Sequence, residues 1–124
     1  MAYLIDTNVL FAILKGDGRL KAFVENNDCG IDSTIYVECI QGSKSNREKR
    51  IIMRYLRRFR LYYHTPDISQ QTIDLIDRYS NSHGLLLPDA QVAAVAIVRD
   101  LDLVTMNVSD FRFINGLKLA DSNI

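Results

Sequence analysis

The segment Tyr3-Leu4-Ile5-Asp6-Thr7-Asn8 constrains this chain more than any other. A short apolar run stops abruptly at an acid, then Thr and Asn, and an apolar periodic stretch from Val9 to Leu14 follows at once. That pattern predicts a buried strand over residues 2–6 and a helix from about Val9 to Lys15. In open α/β sheets, ligands sit in the crevice outside the carboxyl ends of the strands. Asp6 falls at such an end, close to a helix N-terminus. Only Met1 and Ala2 stand before Tyr3, so no targeting segment is expected ahead of the strand.

The rest of the chain repeats the alternation. Gly16-Asp17-Gly18 marks a turn, Arg19 to Glu25 has helical spacing, and Cys29 to Asp32 reads as a short strand. Asp32 or Ser33 then caps a helix from Thr34 to Gln41, with Gly42 as its stop. A strongly amphipathic helix is predicted from about Asn46 to Phe59, with Ile51, Ile52, Tyr55, Leu56 and Phe59 as its apolar stripe. Leu61 to His64 suits a strand closed by Pro66-Asp67. Ser69 to Ser82 suits a helix with Ile73, Ile76 and Tyr79 inward, and Asn81 to Gly84 a turn. Pro88 opens an Ala-rich helix to Arg99. Leu101 to Thr105 is a second buried strand, and Leu117 to Ala120 a last short one. This order predicts a mostly parallel sheet covered on both faces.

Length and composition set the outer bounds. A chain of 124 residues suits a single domain with one core. At 48% hydrophobic and 24% charged residues it has a globular rather than a disordered composition. Its apolar runs are too short to span a bilayer. Cys29 and Cys39 form no CxxC pair and read as reduced thiols of a cytoplasmic protein. The net charge of zero argues against a protein that simply coats nucleic acid, but the charge is uneven. Lys44, Arg47, Lys49, Arg50, Arg54, Arg57, Arg58 and Arg60 crowd one stretch against a single acid, Glu48.

Four acids occupy special places: Asp6 after the first strand, Glu38 on the helix after the second, Asp89 in the first turn of the Ala-rich helix, and Asp110 after the strand ending at Thr105. Carboxylates brought to one sheet edge repel and raise one another's pKa unless a cation neutralises them. Carboxylates with an Asn and hydroxyls make a hard-oxygen site that fits Mg²⁺ or Mn²⁺. No His/Cys ligand set for Zn²⁺ is present. Each acid also has an ordinary reading: an Asp at a strand end caps a helix, an acid after Pro88 favours the helix dipole, and Glu38 faces solvent.

Taken together, the pieces resemble the PIN-domain nucleases, specifically the VapC-like toxins of type II toxin–antitoxin pairs. The matching residues are Tyr3 to Asn8, Ser33-Thr34-Ile35-Tyr36-Val37-Glu38, Leu87-Pro88-Asp89-Ala90 with the Ala-rich helix, Leu103-Val104-Thr105-Met106-Asn107 running into Asp110-Phe111, and the closing Gly116-Leu117. The resemblance covers essentially the whole chain, 1–124, as a single PIN domain. It implies a three-layer α/β/α sandwich with a parallel sheet of four or five strands, and an endoribonuclease dependent on Mg²⁺ or Mn²⁺. Asp6, Glu38 and Asp89 match the three main acids of the family. The fourth position is either Asn107, where some members carry an acid, or Asp110. Thr7, Asn8 and Thr105 match polar positions that orient the acids or their waters. The implied reaction is in-line attack of a metal-activated water on an RNA phosphodiester, with no protein nucleophile. The implied partners are an RNA substrate, a cognate antitoxin whose tail covers the site, and a second copy of the chain in a homodimer.

An acidic pocket repels an RNA backbone, so something basic must hold the strand. Arg47, Arg50, Arg54 and Arg58 form a stripe that serves as phosphate contact, as solvated helix face, or as contact for an acidic partner segment. His64, at a strand end, and His83, in a turn, match no motif and read as surface or structural residues. Two other functions stay open: a PIN nuclease of RNA processing with no antitoxin, and a PIN-like module that binds RNA or protein without cutting. A haloacid-dehalogenase type of phosphatase also opens on a strand-terminal Asp, but needs a second Asp where this chain has Asn8.

Overall fold

The computed structural model describes residues 1–121. Four parallel strands, β1 (Ala2–Ile5), β2 (Asp28–Asp32), β3 (Arg60–Tyr62) and β4 (Asp102–Val104), form one sheet in the order β3-β2-β1-β4. Six helices connect them: α1 (Thr7–Leu14), α2 (Gly18–Asn26), α3 (Ser33–Gln41), α4 (Asn46–Leu56), α5 (Pro66–His83) and α6 (Leu87–Arg99). Successive strand residues point to opposite faces. Leu4 and Ile5 are adjacent and both 0% exposed, so helices cover both sides of β1, as the sandwich predicts.

Most helix starts follow from the local sequence. The carboxylates of Asp17 and Asp32 accept from Leu20 N and Ile35 N at the starts of α2 and α3, and Ser45 Oγ accepts from Glu48 N at the start of α4. Gly84 ends α5 in a left-handed conformation (φ 68°) that costs glycine little. The Ala-rich α6 buries Ala90, Ala93, Ala94 and Ala96, whose small side chains allow close approach. Cys29 and Cys39 are free and buried, and burial pushes both thiols up to about 12. Among the described residues, no helix is long and apolar enough to cross a membrane.

Several boundaries differ from the sequence reading. Pro66 does not close a strand: it sits in the first turn of α5, where its missing N–H costs nothing, and the helix runs on through His83. The inward stripe of α5 is Ile68, Thr72, Leu75 and Tyr79, and Ile73 is 60% exposed. Ile51 is likewise 55% exposed, while Ile52 and Leu56 carry the contact of α4. That helix stops at Leu56, so Phe59 is buried from the following turn and Arg58 lies beyond the helix. The last predicted strand is reduced to a bridge between Leu103 and Leu119. A 3-10 turn over Val108–Asp110, unforeseen in the sequence, follows β4.

Candidate active site

Strand register assembles the first half of the site. Ile5 pairs with Val104 across β1 and β4, and Asp6 N donates to Val104 O at 2.9 Å. The next residue of each strand therefore meets the other. Thr105 Oγ1 donates to Asp6 Oδ2 at 2.8 Å, and Asn8 Nδ2 donates to the same oxygen and to Thr105 Oγ1, both at 3.3 Å. Asn8 Oδ1 accepts from Met106 N at 3.0 Å, which ties the β4 loop to the start of α1. Asp6 Oδ1 accepts from Thr7 N at 2.8 Å, so Asp6 also caps α1. Burial raises the Asp6 carboxyl above its ordinary range. The bonds from Thr105, Thr7 and Asn8 pull it down, and the charge of Asp32 pushes it up, leaving it raised overall.

The second half comes from α3 and α6. Thr7 Oγ1 donates to Glu38 Oε1 at 2.8 Å, joining the α3 acid to the residue beside Asp6. Asp89 sits half-buried in the first turn of α6. Burial first, then the charges of Asp6, Asp110 and Glu38, push its carboxyl up to about 6. Asp89 thus feels the charge of each of the other three acids. Among the described residues, no three His, Cys, Asp or Glu side chains close on one point as a ready ligand set, so the acids form no preformed metal cage.

Asp110 and Asn107 part company here. Asp110, in the 3-10 turn, acts on Asp89 through its charge. Asn107 is exposed, and its backbone N–H donates to Thr105 Oγ1 at 3.1 Å. Of the basic stripe, Arg58 lies 3.5 Å from Glu25 and over the Tyr55 ring. Arg47, Arg50 and Arg54 are exposed and, among the described residues, form no salt bridge.

Sequence reasoning missed a second polar chain at the same sheet edge. Asp32, 0% exposed, accepts from Ile35 N at 2.9 Å to cap α3, and its other oxygen lies 2.7 Å from His64 Nε2. Thr34 Oγ1 lies 3.4 Å from the same nitrogen and donates to Gln91 Oε1 on α6 at 3.1 Å. Asp32 ends its strand as Asp6 does, and that was the available signal. The structural reading of His64 matches its bond to a buried carboxylate.

The PIN domain family model matches residues 3–115 of this chain. The chain is 32% identical over 120 residues to Ribonuclease VapC10 of Mycobacterium tuberculosis, covering 93% of this chain and 90% of that one. Among solved structures it is similar to a toxin–antitoxin complex from Klebsiella pneumoniae (28% identity, TM-score 0.78, 93% and 94% of the two chains). It shares its fold with the DNA-bound VapBC of Salmonella typhimurium (22% identity, TM-score 0.86, 98% of each chain). The chain belongs to the PIN-domain family. Within that family it is homologous to the VapC ribonucleases.

Proposed function

We propose that this chain is a divalent-metal-dependent endoribonuclease, the toxin of a toxin–antitoxin pair, working in the cytoplasm as a single catalytic domain. One observation carries the reading: Thr7 joins Asp6, which Thr105 also holds, to Glu38 of α3, and Asp89 of α6 feels the charges of Asp6, Glu38 and Asp110. A half-buried carboxylate that three others repel destabilises the protein unless a cation joins them. The donor set fits Mg²⁺ or Mn²⁺, being all hard oxygen. Asp6, Glu38, Asp89 and Asp110 would hold the ion, with Asn107 supporting the turn that carries Asp110. When bound, such an ion lowers the pKa of a water and neutralises charge on the phosphoryl group.

The protein's own residues position and select. Thr105, Asn8 and Thr7 fix both oxygens of Asp6, so that carboxylate is oriented before any ligand arrives. Thr7 fixes one oxygen of Glu38 and leaves the other available. Asp89 and Asp110 complete the rim. In this reading Arg47, Arg50 and Arg54 hold RNA phosphates or an acidic partner segment, with Arg58 partly engaged by Glu25.

The antitoxin has a matching surface. A groove of about 510 Å³, lined by Tyr36, Val37, Leu56, Arg57, Phe59 and Tyr63 among others, separates α3 from the end of α4 and β3. It is largely apolar, and Ser33 and Val37 line both it and a groove that reaches Glu38. An antitoxin segment laid there extends naturally to the acids. Solved relatives that share the fold include toxin–antitoxin complexes, and homodimer formation belongs to the same reading. The test is cleavage of total RNA in Mg²⁺ or Mn²⁺, comparing the wild type with Asp6→Asn. Wild-type cutting that the substitution and EDTA both abolish is expected. Identical fragments from both proteins would leave only a non-cutting binding module.

A further inference from the structure

Beside the acids lies a groove of about 370 Å³ that the proposed chemistry leaves unused. Its walls include Thr34, Val37 and Glu38 from α3, His64 from the segment after β3, and Pro88 and Gln91 from α6. Its volume is in the range of small-ligand pockets. Glu38 is the acid that Thr7 holds, and Pro88 precedes Asp89 in the chain, so the groove opens directly off the acidic site.

The lining decides what kind of group fits. Among the described residues no Lys or Arg borders the groove, and Glu38 does. A phosphate there would find no basic side chain to pair with, so the groove suits a neutral group. Val37 and Pro88 supply apolar surface, and the polar atoms are ordered. Asp32 holds His64 at 2.7 Å, His64 lies 3.4 Å from Thr34 Oγ1, and Thr34 donates to Gln91 Oε1 at 3.1 Å. The Gln91 amide is therefore fixed, yet its Nε2 has no acceptor among the described residues and is not sealed from solvent. A fixed amide offers a donor and an acceptor side by side. Unstacked bases of single-stranded RNA are read on their edges by such groups.

We propose that this groove is a base-reading subsite, which takes the nucleobase next to the scissile phosphate. Gln91 specifies the base, and Asp32, His64 and Thr34 position its amide. The proposal rests on the ribonuclease reading above.

The test is cleavage of an RNA pool with a randomised single-stranded segment, read by sequencing the cut ends. Wild type, Gln91→Met and Gln91→Glu are compared in Mn²⁺, with the melting temperature of each beside it. The wild type shows a base preference at one position adjoining the cut. Gln91→Met flattens it about five-fold or more. Gln91→Glu keeps the shape but replaces the NH₂ donor with an acceptor. It moves the preference toward adenine and cytosine, whose exocyclic amino groups donate. A purely structural role for Gln91 slows all sequences alike and produces no such change of base. Should Gln91→Met unfold, Thr34→Val, which releases the amide, carries the same readout. Wild-type cutting with no base preference at that position, or with a preference that all the variants share, overturns the subsite alone. RNA left uncut by the wild type overturns the ribonuclease reading, and the subsite with it.

Discussion

Replacing Asp89 with Asn should make the metal-free protein more stable at neutral pH and leave it unchanged in acid. The folded carboxyl titrates at about 6 against an ordinary 3.8. Below pH of about 4 the group is protonated in both folded and unfolded chains, and the difference vanishes. Between about 4 and 6 the folded state holds the proton more tightly, so stability falls as pH rises. Above about 6 the full penalty remains. A gap of about 2 units at about 1.36 kcal/mol each gives roughly 3 kcal/mol, which solvent screening of a half-buried group reduces to about 2 kcal/mol. Asn keeps the shape and removes the charge. In EDTA at pH 7.5 the variant should melt roughly 6–8 °C above the wild type, and at pH 4 the two should melt together. Scanning calorimetry or thermal fluorescence over pH 4 to 8 reads this directly. A variant that melts lower at pH 7.5, or gains equally at both ends, would refute the charge penalty that burial and the other three acids place on Asp89.

Three further outcomes follow from particular contacts. Gly30→Ala puts a Cβ 2.5 Å from Tyr62 Cε2 and 3.0 Å from Arg60 O, so it should cost about 2 kcal/mol in urea unfolding by prising β3 from β2. Asp32→Ala removes the α3 cap and the partner of His64 together. It should cost about 3 kcal/mol by the same measurement, and a loss under about 1 kcal/mol would show that His64 and Ile35 N find other partners. Replacing Arg47, Arg50 and Arg54 by Gln should weaken RNA binding by catalytically dead Asp6→Asn protein. It should also flatten the salt dependence by about three charges if all three contact phosphate, read as the slope of log affinity against log salt.

How much of this was legible follows the range of the interactions. Strand β1 and Asp6 were visible because an apolar run that stops at an acid is a local pattern. Glu38 stood out on the helix that opens just past β2, and Asp89 in the first turn of the Ala-rich helix. The family resemblance gathered those short pieces into one order. What escaped was long-range or phase-sensitive. The Thr105–Asp6 bond exists only through the β1–β4 register, and the Asp32–His64 pair joins residues far apart in sequence. Ile73 and Ile51 satisfied an apolar periodicity, but a helix admits more than one phase of such a stripe, and packing chose the other. Pro66 was read as the end of a strand because Pro ends an element as readily as it begins a helix. The placing of Asp110 within charge reach of Asp89 depended on the 3-10 turn, which nothing in the sequence announced.

In the proposed function, side chains from four separate segments act as one cation-binding site. Titrating Mn²⁺ into the protein, with free ion read by electron paramagnetic resonance, tests it most directly, using the wild type beside Asp6→Asn, Glu38→Gln, Asp89→Asn and Asp110→Asn. Mn²⁺ should bind the wild type and raise its melting temperature by linkage, and each of the four substitutions should weaken binding. Affinity that survives all four substitutions unchanged, or no Mn²⁺ binding at millimolar concentration, would contradict it.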